Sequence, residues 1–170
     1  MTILQLSKIT KLSASQLSRI ESGKTSAPVS TLDTIAKALG TKIGFLFGDV
    51  EAKDDPRIVL SKSNKRIKFR KGMKEFGYNY SAVAASKRNK IMEPFVLKIE
   101  KQRTPEQTVV FNHPGEEVIF VLEGEMLFTY ENKRLHLEKG DCVYFDATGN
   151  HMVKNIGNTD LEFFIVICSP

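Results

Sequence analysis

The chain has 170 residues, 41% hydrophobic and 26% charged, with a net charge of +5 at pH 7. That length holds one domain or two small ones, and its longest apolar runs fall far short of the ~20 residues a membrane-spanning helix needs. No charged stretch leads into an apolar signal segment, and Cys142 and Cys168 belong to no CxxC pair. The expectation is therefore no membrane span, disulfide framework or zinc knuckle, with the cytoplasm as the default compartment.

The charge is unevenly spread: about +3 over residues 1–50, +8 over 51–90 and −6 over 91–170. A basic half joined to an acidic half suggests a polyanion-binding part and a part with another task. A solvated lysine-rich surface accounts for the charge equally well.

In chain order, the first signals are helical. Apolar residues recur at three and four through Leu4, Leu6, Ile9, then Leu17, Ile20, then Leu32, Ile35, Ala36, Leu39. Thr2 is followed three residues later by Gln5, and Ser13 by Gln16; both are capping boxes. They predict helices over about 3–10 and 14–22, the second closing at Gly23, with a third from near Ser30 to Gly40 and one more turn in IGFLF. The turn between the first two is as short as in a helix-turn-helix.

After residue 55 the period changes to two. Short β-rich runs alternate with turn residues: RIVL, RIKF, FGYNY, EPFVLKIE, TVVF, EVIFVLEG, EMLFTY, RLHLE, CVYF, HMVKN and LEFFIVI. Many short strands predict a sandwich or barrel. The expected organisation is a helical domain over 1–50, a linker over 51–60 around EAKDDPR, and an all-β barrel over 61–170.

The stretch LSKITKLSASQLSRIESGKTSAPVSTLDTIAKALG resembles the lambda-repressor-like, or XRE-type, helix-turn-helix family. Leu12, Ser13, Leu17, Ser18, Ile20, Glu21, Gly23, Leu32, Ile35, Ala36, Leu39 and Gly40 carry the match. The resemblance implies that the second helix of the motif enters a major groove of operator DNA. Its exposed positions would be Ala14, Ser15, Gln16, Ser18 and Arg19, with Arg19 the best candidate for a bidentate guanine contact. Lys24, just past the helix, would meet a phosphate. Leu17 and Ile20 read as core. The family also has a helix before the one capped by Thr2, so an upstream start, a trimmed chain or weakened DNA binding is expected. Lys11 stands where the family often has glycine and would adopt a left-handed conformation.

In the second half, Glu117 is followed by six residues and Gly124; His113 stands four before Glu117, and Phe111 two before His113. Further on, Gly140, His151 and Asn155 are spaced by eleven and four. Alternation puts Phe111 and His113 on one strand face, and Tyr78 and Tyr80 on one face of theirs. These spacings resemble the two cupin motifs over 107–168, with Phe111 in place of the first histidine and with Asp146 and Thr148 where the usual proline and glycine fall.

The resemblance implies a jelly-roll, or double-stranded β-helix, barrel. It also implies a metal set of His113, Glu117 and His151 for a divalent ion (Fe, Zn, Ni or Mn), two histidines and a carboxylate being the facial triad of non-haem iron enzymes. Phe111, Tyr78, Tyr80, Ile119, Val121 and Asn155 are the expected lining of a ligand pocket. The alternative is that His113 is a turn residue beside Pro114–Gly115 and Glu117 a satisfied barrel group. His136 and Glu116 are expected to face outward.

The fold class expected is therefore α+β multidomain. The two resemblances together imply a transcriptional regulator, with enzyme activity left open, whose partners are operator DNA, a small-molecule effector and a second copy. The rival is the class of mononuclear iron oxidases resembling 2-hydroxypropylphosphonate epoxidase, which share the domain order and the triad. The early-helix lysine with which that enzyme binds substrate has no counterpart here.

Overall fold

The computed structural model describes residues 1–22, 24–25, 27, 29–41, 46, 57–69, 78–87, 90–101 and 110–168. The expected helix stop at Gly23, the linker over 51–56, most of IGFLF and the start of TVVF lie outside the described residues. Three helices come first: α1 (Ile3–Thr10), α2 (Ala14–Glu21) and α3 (Val29–Ala38). Both capping boxes form. Thr2 Oγ1 accepts from the Gln5 amide at 3.2 Å and Ser13 Oγ from the Gln16 amide at 3.1 Å, while both glutamines reach back to the cap amides. Each satisfies two amides that the first helical turn leaves without partners.

Lys11 ends α1 in the left-handed region (φ 59°, ψ 12°). Side-chain bonds hold the turn around it. Thr10 Oγ1 donates to the Leu6 carbonyl at 2.8 Å, and Ser7 Oγ donates to the Leu12 carbonyl at 2.6 Å. Leu17 and Ile35 are buried, as their spacing predicts.

Nine strands follow a short 3₁₀ turn at Ser63–Lys65: β1 (Ile67–Phe69), β2 (Tyr78–Ala82), β3 (Met92–Ile99), β4 (Glu116–Glu123), β5 (Met126–Tyr130), β6 (Lys133–Leu137), β7 (Cys142–Asp146), β8 (His151–Asn155) and β9 (Leu161–Cys168). All named pairings are antiparallel. One sheet runs β1-β2-β3-β9-β4-β7 and the other β6-β5-β8. Alternation is clean in β9, where Leu161, Phe163, Ile165 and Ile167 are buried and the residues between them are half-buried. Inward side chains of the two sheets make one core, in which Phe95, Phe128, Phe163, Ile119, Val121 and Met126 are fully buried. Each such side chain contributes about 1.5–3 kcal/mol.

One expected strand is absent. RIVL is unpaired, with Ile58 and Leu60 at 88% and 80% exposure. The edge of β2 is taken by β1, which pairs Ile67 with Ala82 and Phe69 with Tyr80.

The helical part is not separate from the barrel. Ala36 of α3 is completely buried in the same apolar cluster as Tyr78, Phe95 and Phe163, with Leu32 and Leu46 packed against that cluster. No helix among the described residues is long and apolar enough to cross a membrane.

Gly124, the glycine of the first barrel motif, turns β4 into β5 at φ +86°. A Cβ there would stand 2.7 Å from the Asp160 carbonyl oxygen and 2.9 Å from Leu161 Cα, both backbone atoms. Gly124→Ala combines a left-handed penalty with a backbone clash and is expected to destabilise the barrel by about 2–3 kcal/mol. Urea unfolding of the two proteins measures the difference.

Candidate functional site

Two surfaces carry the sequence candidates. On α2, Ser15, Gln16, Ser18 and Arg19 are exposed while Leu17 is buried, and Lys24 is exposed beyond the helix. The helix thus presents one polar face. Arg19 Nε donates to Thr25 Oγ1 at 2.8 Å, which uses one of the five guanidinium donors and restrains the side chain. Gln16 is partly engaged, since its amide oxygen accepts from the Ser13 amide.

The second site is in the barrel. Phe111 joins β8 through a lone bridge: its amide donates to the His151 carbonyl at 2.8 Å and the His151 amide returns a bond at 2.9 Å. Two residues on, the His113 amide donates to Ala147 O at 2.9 Å. These bonds bring His113 and Glu117 (on β4) together with His151 (on β8). One donor atom from each lies within 4.8 Å of the others. His113 Nε2 is 2.6 Å from Glu117 Oε1, and His151 Nε2 is 3.8 Å from Glu117 Oε2. Glu117 is 3% exposed and His151 5%.

The pKa values of the two imidazoles are shifted in opposite directions. Burial opposes charge on His113, but the hydrogen bond and charge of Glu117, the Pro114 carbonyl and Asp33 outweigh it and raise its pKa. Both of its nitrogens face oxygen acceptors, the bonding pattern of an imidazolium. Burial lowers the pKa of His151, and the Gly149 carbonyl and Glu117 offset this only in part. In neutral His151, Nδ1–H donates to Gly149 O (2.9 Å) and the Nε2 lone pair is left for the cluster.

Around the cluster the walls are apolar and aromatic. The cavity, about 40 Å³, is lined by Tyr78, Tyr80, Phe111, Ile119, Val153 and Phe163 among others, with His113, Glu117 and His151 as its polar members. The Phe111 ring stacks on His151 at 6.0 Å and meets Tyr78 edge-on at 6.1 Å. Tyr78 donates its hydroxyl to Val153 O at 2.8 Å, and burial raises its pKa. Tyr80 is raised further from its usual range, by burial first and then by Tyr78 and Glu117.

Of the residues expected to line the pocket, Phe111, Tyr78, Tyr80 and Ile119 do so. Val121 and Asn155 are not among the lining residues. Val121 is fully buried in the general core. Asn155 donates its amide to Ile99 O and Thr159 O, and its Oδ1 accepts from the Gly157 amide, so it ties the turn after β8 instead. His136 and Glu116 face outward as expected, His136 beside Glu125 at 3.2 Å. Sequence reasoning missed the share of β9, whose Phe163, Ile165 and Ile167 line the cavity. Their period-two alternation carried that information. It also missed Asp33, whose charge acts on His113 from α3.

A divalent cation suits this donor set. Two imidazoles and a carboxylate converge from β4, β8 and the loop before β4, one imidazole has its lone pair pre-set, and the cavity holds more than the 10–15 Å³ that one water needs. An incoming cation would have to displace the His113 proton.

Family models match both halves: a helix-turn-helix over residues 1–46 and a cupin domain over residues 99–168. The chain is an XRE-type helix-turn-helix protein with a cupin domain. Across both domains it is 25% identical over 148 residues to the HTH-type transcriptional regulator PuuR of Escherichia coli, covering 87% of this chain and 76% of that one. A helix-turn-helix transcriptional regulator from Vibrio cholerae has the same fold, with a TM-score of 0.64, 19% identity and coverage of 100% of this chain and 88% of that one. So does the hydroxypropylphosphonic acid epoxidase from S. wedmorenis, at a TM-score of 0.56, 21% identity and coverage of 98% and 89%.

In this cupin domain the residue at 111 decides how many donors the site offers. Phe111→His would add an imidazole beside His151. Zinc affinity, measured by competition with a chromogenic chelator, is expected to rise by about tenfold or more, because a structural zinc site takes four ligands where three are present.

Proposed function

We propose that this protein is a DNA-binding transcriptional regulator in which the cupin barrel senses a compact ligand and α3 carries the signal to the helix-turn-helix. The observation that carries the reading is the pairing of an exposed polar α2 face with a barrel whose core cluster includes Ala36 of the DNA-binding domain. The full-length similarity to PuuR supports it. Operator DNA is the macromolecular partner, and the cytoplasm is the compartment in which the two meet.

Arg19 reads a guanine, Ser15, Gln16 and Ser18 bond base edges or phosphates, and Lys24 holds a phosphate. The linkage to the barrel is short. Leu32 and Ala36 touch its apolar cluster, and Asp33 between them bears on His113. A ligand that changes the charge or position of His113 therefore changes the electrostatic interaction that α3 makes with it through Asp33. By reciprocity, DNA binding changes ligand affinity by the same factor.

The size of the cavity limits the ligand. At about 40 Å³ it is far below the roughly 300–1,000 Å³ of drug-sized sites. A divalent ion (Fe, Zn, Ni or Mn) with a water or a very small molecule fits, held by His113, Glu117 and His151. A larger effector requires a wall to move, and α3 belongs to the packing against that wall.

Fluorescence anisotropy with DNA from upstream of the protein's own gene tests the regulator reading. Arg19→Ala is expected to cost about 1–3 kcal/mol of specific binding and to relax specificity at one position. Lys24→Ala is expected to weaken all sequences alike and to reduce the salt slope by about one. No sequence preference, in a chain that also carries any helix preceding Thr2, would sink it.

A second reading rests on the triad itself. Two histidines and one carboxylate leave open positions on a bound iron for substrate and oxygen, which is the donor set of mononuclear iron oxidases. Bound Fe(II) would supply the oxygen chemistry, while Phe111, Tyr78 and the β9 side chains would orient an organic substrate and exclude water. Iron-loaded protein that takes up no oxygen with hydroxyalkylphosphonates would discard this reading. For either reading, Glu117→Ala is expected to lower the bound metal from about one per chain to near zero by elemental analysis, because a three-donor site loses its only anion.

A further inference from the structure

Residues 57–66 lie outside every strand and outside the site described above. Their backbone is extended on either side of the 3₁₀ turn, at Lys62 (φ −66°, ψ 136°) and Arg66 (φ −64°, ψ 140°). The segment is held to the barrel. Ser61 Oγ accepts from the Ala84 amide at 2.6 Å, the Lys65 amide donates to Lys62 O at 2.9 Å, and Val59 and Ser61 are half-buried. Outward it presents Ile58 and Leu60, with Arg57, Lys62 and Lys65 exposed beside them. The charge here is of one sign. The stretches 57–69 and 78–87 contain Arg57, Lys62, Lys65, Arg66, Lys68 and Lys87 and no acidic residue, whereas residues 91–170 sum to about −6.

We infer that residues 57–66 form a second DNA contact, separate from the helix-turn-helix and laid along the duplex beside the site that α2 occupies. Arg57, Lys62 and Lys65 meet phosphates, and Ile58 and Leu60 face the minor groove. The inference rests on the regulator reading, which supplies the duplex.

The fold brings the barrel along with the helices. Leu32 and Ala36 hold α3 to the barrel cluster, so a duplex taken by α2 has the barrel for a neighbour. The acidic part of the barrel is repelled by phosphates, and close approach is favourable only on the basic side. Shape points the same way. A minor groove about 6 Å wide admits an extended segment more readily than a helix, and minor-groove proteins place Ile and Leu against base steps while Arg and Lys hold the backbone. That gives a use to two aliphatic side chains at 88% and 80% exposure. An anionic membrane offers the same charge, but binding at its interface grows with buried apolar area, and two aliphatic side chains supply little.

The test is fluorescence anisotropy of the full chain on labelled duplexes of about 30 base pairs, between about 50 and 200 mM salt. One duplex comes from upstream of the protein's own gene and the other is its scrambled sequence. Combining Arg57→Gln, Lys62→Gln and Lys65→Gln is expected to lower the slope of log affinity against log salt by about two to three on both duplexes, since each phosphate contact contributes about 0.9. Affinity is expected to fall at least tenfold. Combining Lys133→Gln, Arg134→Gln and Lys154→Gln removes the same charge from exposed positions on the three-stranded sheet and is expected to shift the slope by less than about one. Leu60→Cys in a Cys142→Ser, Cys168→Ser background reads the contact directly, and its alkylation is expected to slow at least several-fold on saturating duplex. A slope unchanged by the first set, an equal fall with the second, a Leu60→Cys thiol that DNA does not protect, or tighter binding to phosphatidylserine vesicles than to either duplex overturns the inference. A wild type with no sequence preference whose slope still falls with the first set defeats the regulator reading and keeps this contact. A sequence preference with the slope untouched does the reverse, and a wild type that binds neither duplex overturns both.

Discussion

Glu117 is a carboxylate at 3% exposure in a barrel otherwise filled with aliphatic and aromatic side chains. An ionised carboxylate in that setting carries a desolvation cost of several kcal/mol, and only a well-placed partner offsets it. His113 is that partner at 2.6 Å, while His151 stands further off at 3.8 Å. Much of the site follows from keeping this one charge inside. The lone bridge at Phe111 fixes the loop that delivers His113, the Ala147 carbonyl holds the His113 amide, and the Gly149 carbonyl sets the His151 tautomer. The pocket is polar at one point and greasy elsewhere because one ion pair is all it must satisfy.

The consequence for chemistry is a site poised between two states. Without a cation, His113 acts as the counter-ion of Glu117. With one, His113, Glu117 and His151 would hold it, and Phe111 would offer it no donor. A third imidazole at position 111 would bring the set to four donors; a phenyl ring leaves it at three.

Much of this was legible in the residues. The capping boxes at Thr2 and Ser13 located two helices because the side chains that start a helix are local to it. The six-residue step from Glu117 to Gly124 set the register of β4, since only glycine can pass so close to the Asp160 carbonyl in that conformation. From the register came Phe111, His113 and His151 around one cavity. Other features were hidden for physical reasons. RIVL has a strand's composition, but pairing is decided by distant partners that composition does not name, and β2 pairs with β1 instead. Asn155 has the motif's spacing, yet its amide is spent on two carbonyls in a turn. Ala36 and Ile35 read as one helical stripe, although Ala36 faces the barrel cluster and Ile35 is buried outside it. A single helix with two buried faces looks in sequence like a helix with one broad face.

That shared helix bears on how the chain behaves as a polymer. Splitting it after residue 50 would leave Leu32, Ala36 and Leu46 bare on one fragment and open the barrel cluster on the other. Part of the stability of each fold therefore comes from the other, through Leu32, Ala36 and Leu46. For a regulator, a contact of this kind would pass a displacement in the barrel core to α3 directly, through Leu32 and Ala36.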